Sequence, residues 1–69
     1  MSVDIIANTR GKSIALLYPQ TPDGHLWLSA HVDRENSYQP WWPVVLVESR
    51  YINNVIDGMI DSGLLVEVT

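Results

Sequence analysis

The chain has 69 residues, no cysteine, and a formal net charge of −4 from eight acidic and four basic side chains. This length fits one small domain spanning residues 1–69, and the lack of thiols excludes disulfides and thiolate metal sites. The negative charge argues against nucleic acid and anionic lipid as partners. We find no secretion signal and no apolar run of the roughly 18 residues that span a bilayer, so we expect a cytoplasmic protein that binds no membrane.

Two strands joined by a polar loop are predicted first, at about 2–8 and 13–20. Pairing Asn8 with Ser13 across this loop places Ile5 and Leu16 on one apolar face, whereas a slip of one residue would bring Asp4 onto it. We therefore predict that leucine is tolerated at Asp4, which faces outward, and that aspartate in place of Ile5 unfolds the domain.

A third strand is predicted at about 25–33. The segment Thr21-Pro22-Asp23-Gly24 carries proline and glycine at positions that suit a type I hairpin turn. The resulting register places Leu28 beside Tyr18 on the apolar face and Trp27 on the opposite, mixed face. The three strands together form a three-stranded antiparallel β-meander.

The second half of the chain supplies the cover for this meander. A Trp/Pro loop at 33–43 precedes a β-branched run, 44–47, which favours extended chain over the first turn of a helix. Apolar residues at three- and four-residue spacing then predict a helix at about 49–62, with Ser49 as its N-cap. A short strand at 64–68 follows, to pair with the first strand or with a neighbour's sheet. The predicted class is therefore α+β.

The Trp/Pro loop contains two adjacent indoles, Trp41 and Trp42, between Pro40 and Pro43. In extended chain, adjacent side chains point opposite ways, so if Trp41 covers the core, Trp42 faces water or another chain. Trp27 then joins one of them in an exposed patch suited to a partner. The alternative is that the loop folds back and buries all three indoles as a second small core.

Two carboxylates, Asp57 and Asp61, stand four residues apart on the polar side of the predicted helix. Negative charge near a helix C-terminus is unfavourable, which suggests a cationic partner, although a solvated helix face explains the same pattern. Gly58 beside them suggests either tolerance or close approach of another chain. Our candidate partner-binding residues share aromatic or acidic character and are Trp27, Tyr38, Trp41, Trp42, Asp57 and Asp61.

No catalytic residue, metal site or cofactor is predicted. As strand residues, His25 and His31 would lie about 20 Å apart, too far to share an ion. Neither a phosphate-binding glycine loop nor the ligand spacing of a zinc module is present.

These observations favour a non-enzymatic protein–protein binding module, a class that includes small accessory and inhibitory proteins of phage or plasmid type. Its partner would be another protein or a second copy of the chain in a homodimer. The alternative is a small-ligand-binding protein, or the accessory subunit of an enzyme, whose aromatic cleft forms in an oligomer.

Overall fold

The computed structural model of the chain describes residues 3–31 and 41–69. Four strands and two helices follow one another in this part of the chain, with a short 3₁₀ turn before the second helix. They are β1 (Ile5–Asn8), β2 (Ile14–Pro19), α1 (Pro22–His31), β3 (Val45–Glu48), the turn Ser49–Tyr51, α2 (Ile52–Asp61) and β4 (Val66–Val68). The α+β class is confirmed.

The strands form one mixed sheet in the order β3-β2-β1-β4. β2 lies antiparallel to both of its neighbours, whereas β4 lies parallel to β1. The sheet is thus not the antiparallel meander that the sequence predicts. Its two outermost strands, β3 and β4, both come from the second half of the chain.

Both helices cover the same face of the sheet. Every second residue of the two central strands points toward them, so Ile5 and Ala7 of β1 and Ala15 and Leu17 of β2 are fully buried. The buried core residues are Ile5, Ala7, Ala15, Leu17, Leu28, Val45, Ile52 and Met59. The residues of opposite parity lie on the face that neither helix covers, where Ile6 and Leu16 are half-buried and Ile14 is exposed.

The predicted strand at 25–33 is wrong, because residues 22–31 form α1. Thr21 acts as the N-cap: its hydroxyl oxygen accepts a hydrogen bond of 3.2 Å from the Gly24 N–H. Pro22 occupies the first helical position, where the missing N–H leaves no intrahelical bond unmade. Residues 21–24 therefore begin a helix and do not close a hairpin.

The predicted register of the first two strands is also wrong. Asn8 pairs with Leu16, not with Ser13, which shifts β2 by three residues along β1. Ile5 faces the core as predicted, but the odd shift turns Leu17 inward and Leu16 outward. The first two residues of β2, Ile14 and Ala15, pair with β3 instead of with β1.

The second half of the chain agrees better with the sequence. Residues 45–48 are extended, the helical region covers most of 49–62, and Gly63 ends it with a φ of 90°. The last strand, predicted at 64–68, spans Val66–Val68 and pairs with β1. Ser49 is not the N-cap: it lies in the 3₁₀ turn, and its hydroxyl is 3.5 Å from the Gly11 carbonyl oxygen.

Candidate functional site

Trp42 is an anchor of the segment that leads into β3. Its side chain is half-buried and packs against the core. The His25 ring meets the indole edge to face, with 5.5 Å between ring centroids. The peptide bond between Trp42 and Pro43 is cis. The Val44 N–H donates a 2.8 Å hydrogen bond to the Trp41 carbonyl oxygen. The side chain of Trp42 thus holds this segment against the domain, and the bond from Val44 to Trp41 closes the turn around it.

Trp41, in contrast, is 61% exposed. One of the two adjacent indoles is exposed while the other packs on the core, but their roles are the reverse of those considered from the sequence. Trp42 packs on the core, and Trp41 is the exposed member of the pair. Tyr38, the remaining aromatic residue proposed for this surface, lies outside the described residues.

Trp27 contacts the other helix and is half-buried. Its indole N–H donates a 2.9 Å hydrogen bond to the Ser62 hydroxyl, just after α2. The ring stacks on His31 with 3.9 Å between centroids, and His31 Nδ1 lies 2.8 Å from the Trp27 carbonyl oxygen. A Cβ at Gly58 would lie 3.6 Å from the same indole, so this glycine faces α1 of its own chain.

The three indoles therefore form neither one exposed patch nor one second core. His25, which contacts Trp42, and Trp27 are two residues apart on α1, so their side chains leave the helix about 160° from each other. Trp27 is directed toward α2, and Trp42 lies on the opposite flank. Only Trp41 is available as an exposed tryptophan.

Asp57 and Asp61 are both exposed on α2. Neither makes an ion pair or a hydrogen bond through its side chain within the described residues, where the salt bridge is the 2.8 Å contact of Arg50 with Glu48. The last turn of α2 contains no basic residue. Among residues 3–31 and 41–69, neither carboxylate is therefore neutralised by a basic side chain.

Two features escaped sequence analysis. Leu26 is one of the most exposed large apolar side chains described, since it lies on the outer side of α1. The Asp4 side chain, predicted to face outward, accepts hydrogen bonds from the Thr21 hydroxyl at 2.6 Å and the Leu65 N–H at 2.9 Å. Both bonds stabilise the ionised carboxylate and so lower the pKa of Asp4, the Thr21 bond having the larger effect and the Leu65 bond the smaller one.

The histidines are also placed differently. As helix residues, His25 and His31 are about 9 Å apart along the axis, not 20 Å. Each contacts a different tryptophan. Within residues 3–31 and 41–69, no group of three or more histidine, aspartate or glutamate side chains is arranged to hold a metal ion.

Comparison of the chain with protein-family models, with curated proteins and with solved structures finds no match in any of the three. Neither described helix is long and apolar enough to cross a membrane. The function is therefore inferred from the geometry of the exposed residues.

Proposed function

We propose that this chain is a non-enzymatic protein-binding module that acts in the cytoplasm and uses Trp41 as its main anchor. The observation that carries this proposal is the exposure of Trp41 beside the packed Trp42. A large indole held outward on a fixed backbone is typical of the few residues that dominate binding at protein interfaces.

The support is energetic. An exposed tryptophan gains roughly 25 cal/mol for each Å² of apolar surface that a partner covers. Ordering a flexible segment on binding would offset part of that gain, but the contacts of Trp42 and the hydrogen bond of Val44 already hold this backbone. Trp41 is thus preorganised for a hydrophobic pocket on a partner.

The partner would be a second protein or a second copy of the chain. A small acidic protein that occupies a surface of a larger one fits the role of an accessory or inhibitory protein, of the kind that phages and plasmids carry. The alternative, an aromatic cleft that forms in an oligomer, would have to use tryptophans that lie apart within one chain, since Trp27 bonds to Ser62 and Trp42 contacts His25 on the opposite flank of α1.

The test compares Trp41→Ala with Tyr51→Ala, a control that removes an exposed aromatic residue beyond the far end of β3. Circular dichroism first verifies that both variants fold. Light scattering then gives the mass, and affinity capture from the native lysate identifies a partner whose affinity is measured with purified components. We expect Trp41→Ala to weaken binding about tenfold or more, and Tyr51→Ala to leave it unchanged.

For a second copy as partner, the same change would convert a dimer to a monomer. If wild type and Trp41→Ala bind the partner with equal affinity, or form the same dimer, the proposed role of Trp41 is refuted.

A further inference from the structure

We propose that the free edge of β4 binds an extended strand of a partner protein, and that this strand carries basic side chains. This inference shares one assumption with the proposed function, namely that the chain binds another polypeptide. It concerns a different surface: Trp41 precedes β3, and β4 lies at the opposite edge of the sheet.

The first observation is the direction of the backbone groups of β4. The Thr69 N–H donates a 2.8 Å hydrogen bond to the Ala7 carbonyl oxygen, and the Thr69 carbonyl oxygen accepts one of 3.0 Å from Thr9. In a parallel ladder every second residue bonds to the neighbouring strand, so the N–H and C=O groups of Val66 and Val68 point away from β1. Within the described residues nothing pairs with them. Such an edge is a template for another strand.

The second observation is the apolar border of this edge. Val68 is 55% exposed and Ile60 is 54% exposed. On α2, Gly58 faces Trp27 and α1, and Ile60 leaves the helix about 160° from it. Because α1 packs on β2 and α2 packs on β4, this direction is toward the β4 edge. A strand added there would place alternate side chains against Ile60 and Val68.

The third observation is charge, which decides between a second copy and a different protein. β4 carries Glu67 on the face away from the helices, and α2 exposes Asp57 and Asp61 with no basic residue in its last turn. Antiparallel pairing of two β4 edges centred on this strand would set Glu67 directly opposite Glu67 of the second copy, which is destabilising. A strand with lysine or arginine at that position would form a favourable cross-strand pair.

The expected ligand is therefore an extended segment in which apolar and basic residues alternate. Its apolar side chains would pack toward Ile60 and Val68, and its basic side chains would lie beside Glu67. Its backbone would bond to Val66 and Val68.

The test begins with selection of binders from a library of random twelve-residue peptides, with the full chain as bait. Affinities of the selected peptides are measured by fluorescence anisotropy for wild type, Val68→Pro and Glu67→Lys, with Val68→Thr as the control. Proline removes the outward N–H of Val68 without removing a bond to β1, whereas threonine keeps that N–H. Amide chemical shifts of the wild-type protein locate the bound peptide even if the proline variant fails to fold.

We expect selected peptides to alternate basic and apolar residues and to shift the amides of residues 66–69. Val68→Pro should bind them about threefold to tenfold more weakly, from the loss of one hydrogen bond, and Glu67→Lys about threefold or more. Val68→Thr should bind them more tightly than Val68→Pro, because it keeps the outward N–H and changes only the side-chain contact. Trp41→Ala should bind them normally, which separates this surface from that of Trp41. If the selected peptides lack basic residues, or if their amide shifts lie elsewhere, the proposal fails. A wild-type dimer that Val68→Pro dissociates would make a second copy the occupant and would also overturn it.

Discussion

The Thr21 hydroxyl donates a 2.6 Å hydrogen bond to the Asp4 carboxylate while it accepts one from the Gly24 N–H. The other carboxylate oxygen of Asp4 accepts a bond from Leu65, just before β4. The side chain just before β1 therefore joins the start of α1 to the residue before the last strand. These contacts connect parts of the chain that are 17 and 61 residues apart in sequence.

We expect Asp4→Leu to destabilise the protein, contrary to the tolerance predicted from the sequence. The change leaves the Leu65 N–H without its acceptor and removes the partner of the Thr21 hydroxyl. Thermal unfolding followed by circular dichroism measures the effect. Asp57→Leu, at an exposed carboxylate without such bonds, is the control and should lower the melting temperature less. Equal melting temperatures for wild type and Asp4→Leu would contradict this account.

The same contacts predict a pH dependence. Because the folded state lowers the Asp4 pKa, its stabilising contribution is complete above the ordinary carboxyl pKa, about 3.9. That contribution is lost as the pH falls through the lower, folded-state pKa. Urea midpoints of wild type and Asp4→Asn should therefore differ by a constant amount near neutral pH and converge in acid. A difference that stays constant down to pH 2 would rule out ionised Asp4 as the cause.

Two glycines should respond oppositely to alanine. A Cβ at Gly24 would overlap the Asp4 carbonyl oxygen, a backbone atom that cannot turn aside, so Gly24→Ala should destabilise by about 1–3 kcal/mol. At Gly58 the added methyl would make an ordinary contact with Trp27, and the helix would gain from losing a flexible residue. Gly58→Ala should stabilise by about 0.5–1 kcal/mol. Urea unfolding measures both, and destabilisation by Gly58→Ala would show that the two helices pack more closely there.

The hydrogen bond between Trp27 and Ser62 should appear as a coupling energy. Trp27→Phe keeps an aromatic ring but removes the indole N–H, and Ser62→Ala removes its acceptor. In a double-mutant cycle of unfolding free energies we expect a coupling of about 0.5–1 kcal/mol, at the low end for hydrogen bonds because this pair is exposed. Additive effects of the two changes would mean that the bond adds no stability.

Removing negative charge from the C-terminal end of α2 should raise the stability of the protein. Asp61 is the last residue of α2. Its negative charge interacts unfavourably with the helix dipole and with the carboxylate of Asp57 one turn back. Asp61→Asn should stabilise by about 0.3–1 kcal/mol at low salt. Asp23→Asn, in the first turn of α1, is the matched control and should have the opposite sign. Loss of both effects in molar salt would confirm their electrostatic origin.

The missed helix shows where local sequence patterns become ambiguous. Residues 21–24 suit both a turn and a capped helix start with proline at its first position. After them, polar and apolar residues nearly alternate, as in a strand. The helix has no clear apolar stripe to oppose this pattern, because its buried residues are Gly24 and Leu28 and Leu26 is exposed. The Thr21 hydroxyl that caps the helix is also bonded to Asp4, and this contact joins distant parts of the chain and leaves no local signal.

The register error has a different physical cause. β2 lies between two strands and is apolar on both faces, so alternation cannot tell whether Leu16 or Leu17 faces the helices. Helix α2, by contrast, has a clear apolar stripe that includes Ile52 and Met59, and its position was predictable. For the candidate site, the sequence predicts that the adjacent tryptophans diverge, but it does not predict which indole packs inward, because the contacts of Trp42 with the core and with His25 form only in the fold.

The parallel pairing of β1 with β4 also determines how the domain should resist mechanical force. Pulling apart residues 3 and 69 draws β1 and β4 in opposite directions along their axes, because the two neighbouring strands are parallel and the force acts at the start of one and the end of the other. Tension then falls at once on bonds spread along the pair, from Asp4 with Leu65 at one end to Thr9 with Thr69 at the other. The pair is loaded in shear and cannot be peeled open one bond at a time, so we expect a high rupture force for so small a domain.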